Sequence, residues 1–174
     1  EAVLGMKTKT KNLVTTYGFN KDADIVGSEE SILYIDNIPQ GIIFRIDEGG
    51  NSMPVSIEGV FGRNHIYASL ASLALSSGLK WNMLDSINAL KNYDVPPGRM
   101  RLLQGENNSF IIDDTYNSSP VACESALKTL GNMKNKNLSA QVGRKIAVLG
   151  DMLELGKHTI DAHKNVGKIA KEKI

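Results

Sequence analysis

The 174-residue sequence lacks several features that mark particular classes of protein. Its single cysteine, Cys123, excludes an internal disulfide framework and a cysteine-based zinc site. No apolar run approaches the roughly 18 residues that span a membrane, and no signal peptide is visible, so we expect a cytoplasmic protein without membrane insertion. The formal net charge of +1 gives no electrostatic reason to expect a nucleic acid partner.

Several common site motifs are absent as well. The sequence contains no G-x-x-x-x-G-K-S/T phosphate loop and no G-x-G-x-x-G dinucleotide fingerprint. It also lacks a serine nucleophile elbow and a histidine pair at metal-binding spacing. Cys123 shares a predicted helix face with Ala126, Leu127 and Leu130, which favours a buried small hydrophobic residue over a nucleophile.

The first third of the chain predicts β structure, because β-branched and aromatic residues cluster between turn residues. Strands are expected at residues 13–17, 31–35, 41–46 and 53–57. The turn at 47–51 is typical of a hairpin between the last two strands. Pro54 favours an edge position, because proline cannot donate a hydrogen bond to a neighbouring strand.

The middle of the chain changes to a helical period. Apolar residues from Ile66 onward predict a helix that ends at Gly78, and Asn82 is typical of the cap of a second helix. We interpret the pair as a helical hairpin packed on a sheet. Pro96 and Pro97 stop both helix and sheet, so a domain boundary is expected at Asp94–Arg99.

The last part predicts strand, strand, helix, strand and helix. Strands are expected at 100–104 and 109–113, and Ser119 caps a helix that begins at Pro120 and ends at Gly131. The apolar run Lys145–Leu149 is typical of a strand buried on both faces. A strand–helix–strand unit predicts a parallel sheet with a right-handed crossover.

The two chain ends suggest a piece of a longer protein. The sequence opens at Glu1 without an initiator methionine, and it closes at Ile174 inside a helical pattern.

Acidic residues follow two of these predicted strands. Asp113 and Asp114 end one strand, and Asp151 follows another. If the strands are parallel neighbours, the acids lie on one rim, where open α/β sheets bind ligands. They could accept from ribose hydroxyls, hold a metal, take a phosphoryl group or simply cap helices. For Asp151 both interpretations stay open, whereas Asp114, with Tyr116 and Asn117 nearby, favours a functional role.

Two further positions are candidates for ligand contact. Arg99 follows a rigid Pro-Pro-Gly segment, and its guanidinium suits phosphate oxygens, although a surface ion pair is the simpler interpretation. Asn64 and His65 begin the first long helix, where free N–H groups can bind an anion or a polar ring edge. A cap or surface role is the alternative there.

Three segments resemble the Mur ligase family in order and spacing. They are Pro-Pro-Gly-Arg-Met at 96–100, Phe-Ile-Ile-Asp-Asp-Thr-Tyr-Asn-Ser-Ser-Pro at 110–120, and Gly-Arg-Lys-Ile-Ala-Val-Leu-Gly-Asp-Met-Leu-Glu-Leu-Gly at 143–156. The resemblance implies an α/β fold. Residues 1–97 would be the end of the central ATPase domain, and residues 98–174 the start of a Rossmann-like C-terminal ligase domain.

The resemblance also implies an activity. Family members are ATP-dependent amide-forming ligases of peptidoglycan precursor synthesis, which form an acyl phosphate that an incoming amine attacks. The Asp-Asp-Thr-Tyr-Asn and Gly-Asp-Met-Leu-Glu-Leu-Gly segments are most similar to those of members that join D-alanyl-D-alanine to UDP-N-acetylmuramoyl-tripeptide. The resemblance implies a monomer that uses ATP and Mg²⁺. The main metal ligands and the phosphate loop would lie outside this chain, so we expect it not to catalyse ligation alone.

Site residues follow from matched positions. The resemblance implies that Arg99 reaches the ATP phosphates, that Asp114 holds the ribose, and that Tyr116 and Asn117 line the nucleotide beside it. The family usually has His-Asn at the helix start and another Asn three residues later, and these amides help to hold adenine. This chain has Asn64-His65, with Ala68 at the later position.

Two alternatives remain. Folylpolyglutamate and cyanophycin synthetases share the nucleotide architecture and differ in substrate. A phosphoacceptor receiver-like signalling domain would instead make Asp151 the phosphorylated residue.

Overall fold

The computed structural model describes residues 4–134 and 143–174. A short 3-10 helix, Leu4–Lys9, precedes a four-stranded sheet with the order β1-β2-β3-β4. Its strands are β1 (Tyr17–Gly18), β2 (Ile25–Ile35), β3 (Ile38–Glu48) and β4 (Asn51–Glu58). β1 runs parallel to β2, and the other two pairs are antiparallel.

The hairpin between β3 and β4 agrees with the sequence expectation. Gly49 and Gly50 form its two-residue turn with positive φ at both, between the paired residues Glu48 and Asn51. Pro54 lies in β4 at the edge of the sheet, as expected for a residue without an N–H. The expected strand at 13–17 is reduced to Tyr17–Gly18, and β2 is longer than expected because it starts at Ile25.

Two helices follow, α1 (Arg63–Gly78) and α2 (Met83–Ala89), and α2 continues into a 3-10 turn at Leu90–Asn92. The Asn82 Oδ1 atom accepts from the backbone N–H groups of Leu84 at 2.9 Å and Asp85 at 3.2 Å, which confirms the expected cap. Gly78 is the last residue of α1, but Lys80, with φ 58°, has the left-handed conformation after it.

The main hydrophobic core lies between the sheet and α1. Burial of these side chains, at about 25 cal/mol per Å² of apolar surface, is the main force that holds the helix on the sheet. The fully buried members with the largest side chains are Phe44, Phe61, Ile25, Ile46, Ile57, Ile66, Leu70 and Leu73.

The second half consists of an antiparallel hairpin and two packed helices. The strands are β5 (Arg101–Gln104) and β6 (Phe110–Asp113), and the helices are α3 (Pro120–Asn132) and α4 (Thr159–Lys173). A 3-10 turn, Gly156–His158, precedes α4. Leu127, Met152 and Val166 form a small core between the helices. The Ser119 Oγ atom accepts from Ala122 N–H at 3.3 Å, so the expected cap of α3 is confirmed.

The expected strand at Lys145–Leu149 is wrong. This segment has no strand conformation, and Val148 is 94% exposed. Among the described residues β6 pairs only with β5, so the predicted parallel pairing does not form. A continuous apolar run indicates a tendency to be buried, but a strand also needs a neighbour that satisfies its backbone groups.

Backbone hydrogen bonds join the two halves beside the prolines. Phe61 N–H donates to the Met100 carbonyl at 3.0 Å, and Leu102 N–H donates to the Gly59 carbonyl at 2.8 Å. Met100 is buried in the main core. The segment after the prolines is therefore fixed to the end of β4 and the start of α1. Within the described residues, no helix is both long and apolar enough to cross a membrane.

Candidate functional site

Hydrogen bonds hold the turn after the two prolines against the end of β6. Gly98 has φ 71°, its N–H donates to Asp113 Oδ2 at 3.0 Å, and its carbonyl accepts from Tyr116 N–H at 3.1 Å. A Cβ atom built on Gly98 would lie 2.7 Å from the Tyr116 nitrogen. Both the positive φ and this close approach require glycine.

Asp113 uses both of its carboxylate oxygens to hold this turn. Oδ2 accepts from Gly98, while Oδ1 accepts from the Thr115 hydroxyl at 2.7 Å and the Thr115 N–H at 3.2 Å. The Thr115 hydroxyl is the main reason that the pKa of Asp113 is lowered. Hydrogen bonds that stabilise the charged form have this effect. Asp113 is therefore a brace for the loop, and its oxygens are already engaged.

The neighbouring carboxylate, Asp114, uses only one of its two oxygens in hydrogen bonds with the described residues. Its Oδ1 accepts from Met100 N–H at 3.2 Å, and its Oδ2 accepts no hydrogen bond from the described residues. Partial burial raises the pKa of Asp114, although the Met100 N–H and the positive charge of Arg99 act in the opposite direction. The free oxygen could accept hydrogen bonds from ligand hydroxyl groups.

Arg99 and Tyr116 form an exposed stacked pair beside Asp114. The guanidinium carbon of Arg99 lies 3.9 Å from the centroid of the Tyr116 ring, and Tyr116 is 69% exposed. Arg99 makes no ion pair within the described residues. Asn117 follows and is also exposed. The expected surface ion pair of Arg99 is thus replaced by cation–π contact, which leaves its N–H donors available to a ligand.

Arg99, Asp114 and Tyr116 form a cluster, and His65 contacts it from the buried side. The side chain is 8% exposed, with Nε2 2.9 Å from the Arg99 carbonyl oxygen and Nδ1 3.3 Å from the Tyr93 hydroxyl. Burial lowers the pKa of His65, although its hydrogen bond to the Arg99 carbonyl acts in the opposite direction. Asn64 and Ala68 are exposed on the same helix. The structure thus brings His65, Arg99, Asp114 and Tyr116 together, with Asn64 near the start of α1.

Asp151 does not join the cluster. The expected rim of three aspartates needed a strand that ends at Leu149, and the structure has none there. The Asp151 side chain is 89% exposed, with Oδ1 3.7 Å from His163 Nε2. His163 Nε2 accepts from Met152 N–H at 3.1 Å. Cys123 is half-buried against the α3–α4 core, with Sγ 3.1 Å from Ser118 Oγ, as expected for a packing residue.

Two residues that contact the cluster, Gly98 and Tyr93, were not candidate site residues from the sequence. Gly98 carried a signal, because a glycine after two prolines often marks a turn that needs positive φ. Tyr93 carried none, because it reaches His65 across 28 positions of sequence. Among the described residues, no group of three or more His, Cys, Asp or Glu side chains is arranged to hold a metal ion.

A separate cleft of about 440 Å³ lies between β2, the start of α1 and the end of α3. Neither Arg99 nor Asp114 lines it. The cluster of His65, Arg99, Asp114 and Tyr116 is therefore distinct from this cleft. The residues that line the cleft include Tyr34, Arg63, Ile66, Thr129 and Lys134.

Comparison with known proteins identifies relatives for most of the chain. Residues 98–174 match the family model described as Mur ligase, glutamate ligase domain. The UDP-N-acetylmuramoyl-tripeptide–D-alanyl-D-alanine ligase of Escherichia coli (strain K12) is 35% identical over 111 residues, which cover 63% of this chain and 23% of that protein. The ligase of the same name from Buchnera aphidicola subsp. Baizongia pistaciae is 30% identical over 166 residues, 90% of this chain and 32% of that protein.

Solved structures share the fold. MurF from Acinetobacter baumannii superposes with a TM-score of 0.72 at 23% identity, covering 95% of this chain and 33% of that chain. MurF ligase from Thermotoga maritima, solved in complex with ADP, superposes with a TM-score of 0.67 at 24% identity, covering 88% and 32%. The chain thus spans about a quarter to a third of the length of the proteins that it matches.

Proposed function

Because this chain belongs to the Mur ligase family, we propose that it supplies part of the ATP site of a peptidoglycan-precursor ligase. The enzyme would join D-alanyl-D-alanine to UDP-N-acetylmuramoyl-tripeptide. Several curated relatives carry that activity in their names. We assign residues 1–97 to the end of the central ATPase domain and residues 98–174 to the start of the C-terminal ligase domain.

The observation that carries this proposal is the juxtaposition of an available guanidinium and an available carboxylate oxygen at one exposed turn. Arg99 stacks on Tyr116, and its charge acts on the Asp114 carboxylate. A guanidinium fork suits phosphate oxygens, and a carboxylate oxygen suits the hydroxyl groups of a ribose. A nucleotide presents both groups a few ångströms apart.

Five exposed or half-buried residues would contact the nucleotide. Arg99 would donate to ATP phosphates, Asp114 Oδ2 would accept from the ribose, and Tyr116 and Asn117 would line the nucleotide. Asn64 is exposed at the start of α1, where an amide could contact the adenine edge. ATP, when bound, supplies the phosphoryl group that activates a substrate carboxylate for attack by an amine.

The described residues do not fit a Mg²⁺ site by themselves. Asp113 has both oxygens engaged, and within residues 4–134 and 143–174 no three His, Cys, Asp or Glu side chains are grouped to hold a metal ion. Magnesium prefers oxygen ligands in a near-octahedral arrangement. The main Mg²⁺ ligands of the proposed enzyme would therefore lie outside this part of the chain.

A different amide ligase of the same family is the alternative for the substrate. A UDP-N-acetylmuramoyl-L-alanyl-D-glutamate–2,6-diaminopimelate ligase from Geobacillus thermodenitrificans is 26% identical over 138 residues, 79% of this chain. Folylpolyglutamate and cyanophycin synthetases are further possibilities of this kind. The exposed position of Asp151, away from any described strand end, does not favour a receiver-like phosphoacceptor.

The proposal is tested by nuclear magnetic resonance titration of the 174-residue chain with ATP. We expect shifts at residues 98–101 and 113–117. Arg99→Ala and Asp114→Asn should each weaken ATP binding by about tenfold or more, since a hydrogen bond to a charged group contributes about 1.5–3 kcal/mol. The matched controls Arg144→Ala and Asp151→Asn change exposed residues outside the cluster and should bind like the parent.

Two results would contradict the nucleotide site. One is the absence of ATP-dependent shifts in the 98–117 region at millimolar ATP. The other is equal loss of affinity in Asp151→Asn and Asp114→Asn. We also propose that the protein is a monomer that acts in the cytoplasm, and light scattering of the purified chain tests the first part.

A further inference from the structure

His65 occupies a position that ties α1 to the backbone of the site. Its imidazole is buried and contacts two groups from the segment that follows α2: the Arg99 carbonyl at 2.9 Å and the Tyr93 hydroxyl at 3.3 Å. The His65 and Tyr93 rings also meet edge to face, with centroids 5.8 Å apart. One side chain of α1 therefore fixes both ends of the proline-containing connection.

The partners determine which ring nitrogen carries the proton. A carbonyl oxygen only accepts, so Nε2 must be the protonated nitrogen that donates to Arg99. Nδ1 is then the acceptor, and the Tyr93 hydroxyl donates to it. Both ring nitrogens are engaged, which leaves neither of them available to an adenine ring.

The backbone on the other side of Arg99 is held as well. Met100 has φ 51°, in the left-handed region that costs a residue with a side chain about 1 kcal/mol or more. Its N–H donates to Asp114 Oδ1, and its carbonyl accepts from Phe61 N–H. Three successive backbone groups, from the Arg99 carbonyl to the Met100 carbonyl, are therefore bonded to three different parts of the fold.

We propose that His65 is a positioning residue that fixes the Arg99 backbone and thereby aims the guanidinium across Tyr116 toward the phosphates of a nucleotide. The role rests on the proposed function, because it assigns the Arg99 side chain to phosphate. It differs from the direct ligand contact for which the sequence made His65 a candidate at the start of the first long helix. His65 acts through Arg99 and touches no ligand atom.

The first experiment measures how His65 positions the Arg99 side chain in the absence of a nucleotide. Nitrogen-15 spectra of the chain should show His65 as the neutral form with the proton on Nε2. The Arg99 side-chain protons should be shifted by the ring current of Tyr116. His65→Leu, which removes both hydrogen bonds, should abolish this ring-current shift, and His65→Gln, which keeps an N–H donor, should restore much of it. Tyr67→Phe, on an exposed part of α1, is the matched control.

The second experiment compares ATP with adenosine. His65→Leu should weaken ATP binding about five- to tenfold, which corresponds to roughly 1–1.4 kcal/mol, and should leave the adenosine affinity unchanged. In an Arg99→Ala background the same substitution should have no further effect on ATP, because both changes remove one interaction. Tyr93→Phe, which deletes only a hydroxyl, should give a smaller loss of the same kind and covers the case in which His65→Leu fails to fold.

Three outcomes would overturn the proposal. They are a proton on His65 Nδ1, an equal loss of adenosine and ATP affinity, and a full effect of His65→Leu in the Arg99→Ala background. If the parent chain binds no ATP, the proposed function fails, and the ring-current shift alone then decides whether His65 positions the Arg99 side chain. An unchanged shift in His65→Leu contradicts it, whereas a lost shift that His65→Gln restores supports it.

Discussion

The guanidinium carbon of Arg99 lies 3.9 Å above the Tyr116 ring, and the ring is 69% exposed. An exposed cation–π contact contributes about 0.5–1 kcal/mol. Tyr116→Ala should therefore weaken ATP binding about two- to fivefold by freeing the guanidinium, while Tyr116→Phe should keep the parent affinity. Titration calorimetry or magnetic resonance measures both. A loss in Tyr116→Phe as large as that in Tyr116→Ala would show that the hydroxyl is the important group.

Gly98→Ala tests the turn that positions this pair. The new Cβ would lie 2.7 Å from the Tyr116 nitrogen, and φ is 71°. We expect a loss of about 2 kcal/mol or more in the free energy of unfolding, seen as a fall of about 4–8 °C in Tm. Gly150→Ala is the control, because a Cβ there meets nothing within 4 Å. Equal melting temperatures for Gly98→Ala and the parent would refute the close approach.

The two neighbouring aspartates should respond to pH with opposite signs. The pKa of Asp113 is lowered from 3.8, mainly by the Thr115 hydroxyl. Its stabilising contribution is therefore present above 3.8 and is lost as the pH falls through the lower folded-state value. Asp113→Asn should lower Tm at pH 7, because an amide donor would face the Gly98 N–H, and the difference from the parent should shrink in acid.

Asp114→Asn should behave in the opposite way. The pKa of Asp114 is raised from 3.8 mainly by burial, so its favourable contribution is present in acid and is lost as the pH rises through the raised folded-state value. An uncharged amide that still accepts from Met100 should therefore leave Tm at pH 7 equal or higher, with the gain disappearing below pH 3.8. Thermal melts from pH 3 to 7 compare both variants with the parent, and a fall in Tm for Asp114→Asn at pH 7 would contradict this prediction.

Leu70→Ala tests the packing of α1 on the sheet. Leu70 is fully buried, whereas Leu75 on the same helix is 63% exposed. Truncation of a buried leucine removes apolar contact and leaves a cavity, so we expect a loss of about 2–5 kcal/mol in the free energy of unfolding. Leu75→Ala should change it by less than about 0.5 kcal/mol. Urea denaturation measures the free energy of unfolding of both variants, and similar midpoints for Leu70→Ala and Leu75→Ala would show that α1 does not pack as described.

The isolated chain should not release phosphate from ATP in the presence of both proposed substrates. Its sequence contains no phosphate loop, and the described residues offer no metal-binding group. A coupled phosphate assay at millimolar ATP measures this directly. Sustained turnover that Asp114→Asn abolishes would show that the chain carries a complete catalytic site and that its assignment to part of a larger site is wrong.

Local sequence signals predicted the local structure well. The Gly49-Gly50 turn, the Asn82 cap and the Ser119-Pro120 helix start are all confirmed, because each depends on residues a few positions apart. The strand at Lys145–Leu149 was predicted wrongly, since its pairing depends on a neighbour elsewhere in the chain. Arg99 and Asp114 lie close enough for the charge of Arg99 to act on the Asp114 carboxylate, and the roles of both at a nucleotide remain predictions.

The sequence by itself determined where most of the helices and turns begin, and it singled out the Pro-Pro-Gly-Arg and Asp-Asp-Thr-Tyr-Asn segments as candidate nucleotide-binding positions. Only the tertiary structure decided that Asp113 uses both oxygens within the turn while Asp114 uses one, and that the His65 side chain is buried. Burial and hydrogen-bond partners set those properties, and both come from residues far apart in the chain: Tyr93 for His65, and Gly98 and Met100 for the aspartates. Such contacts leave no local pattern in a single sequence.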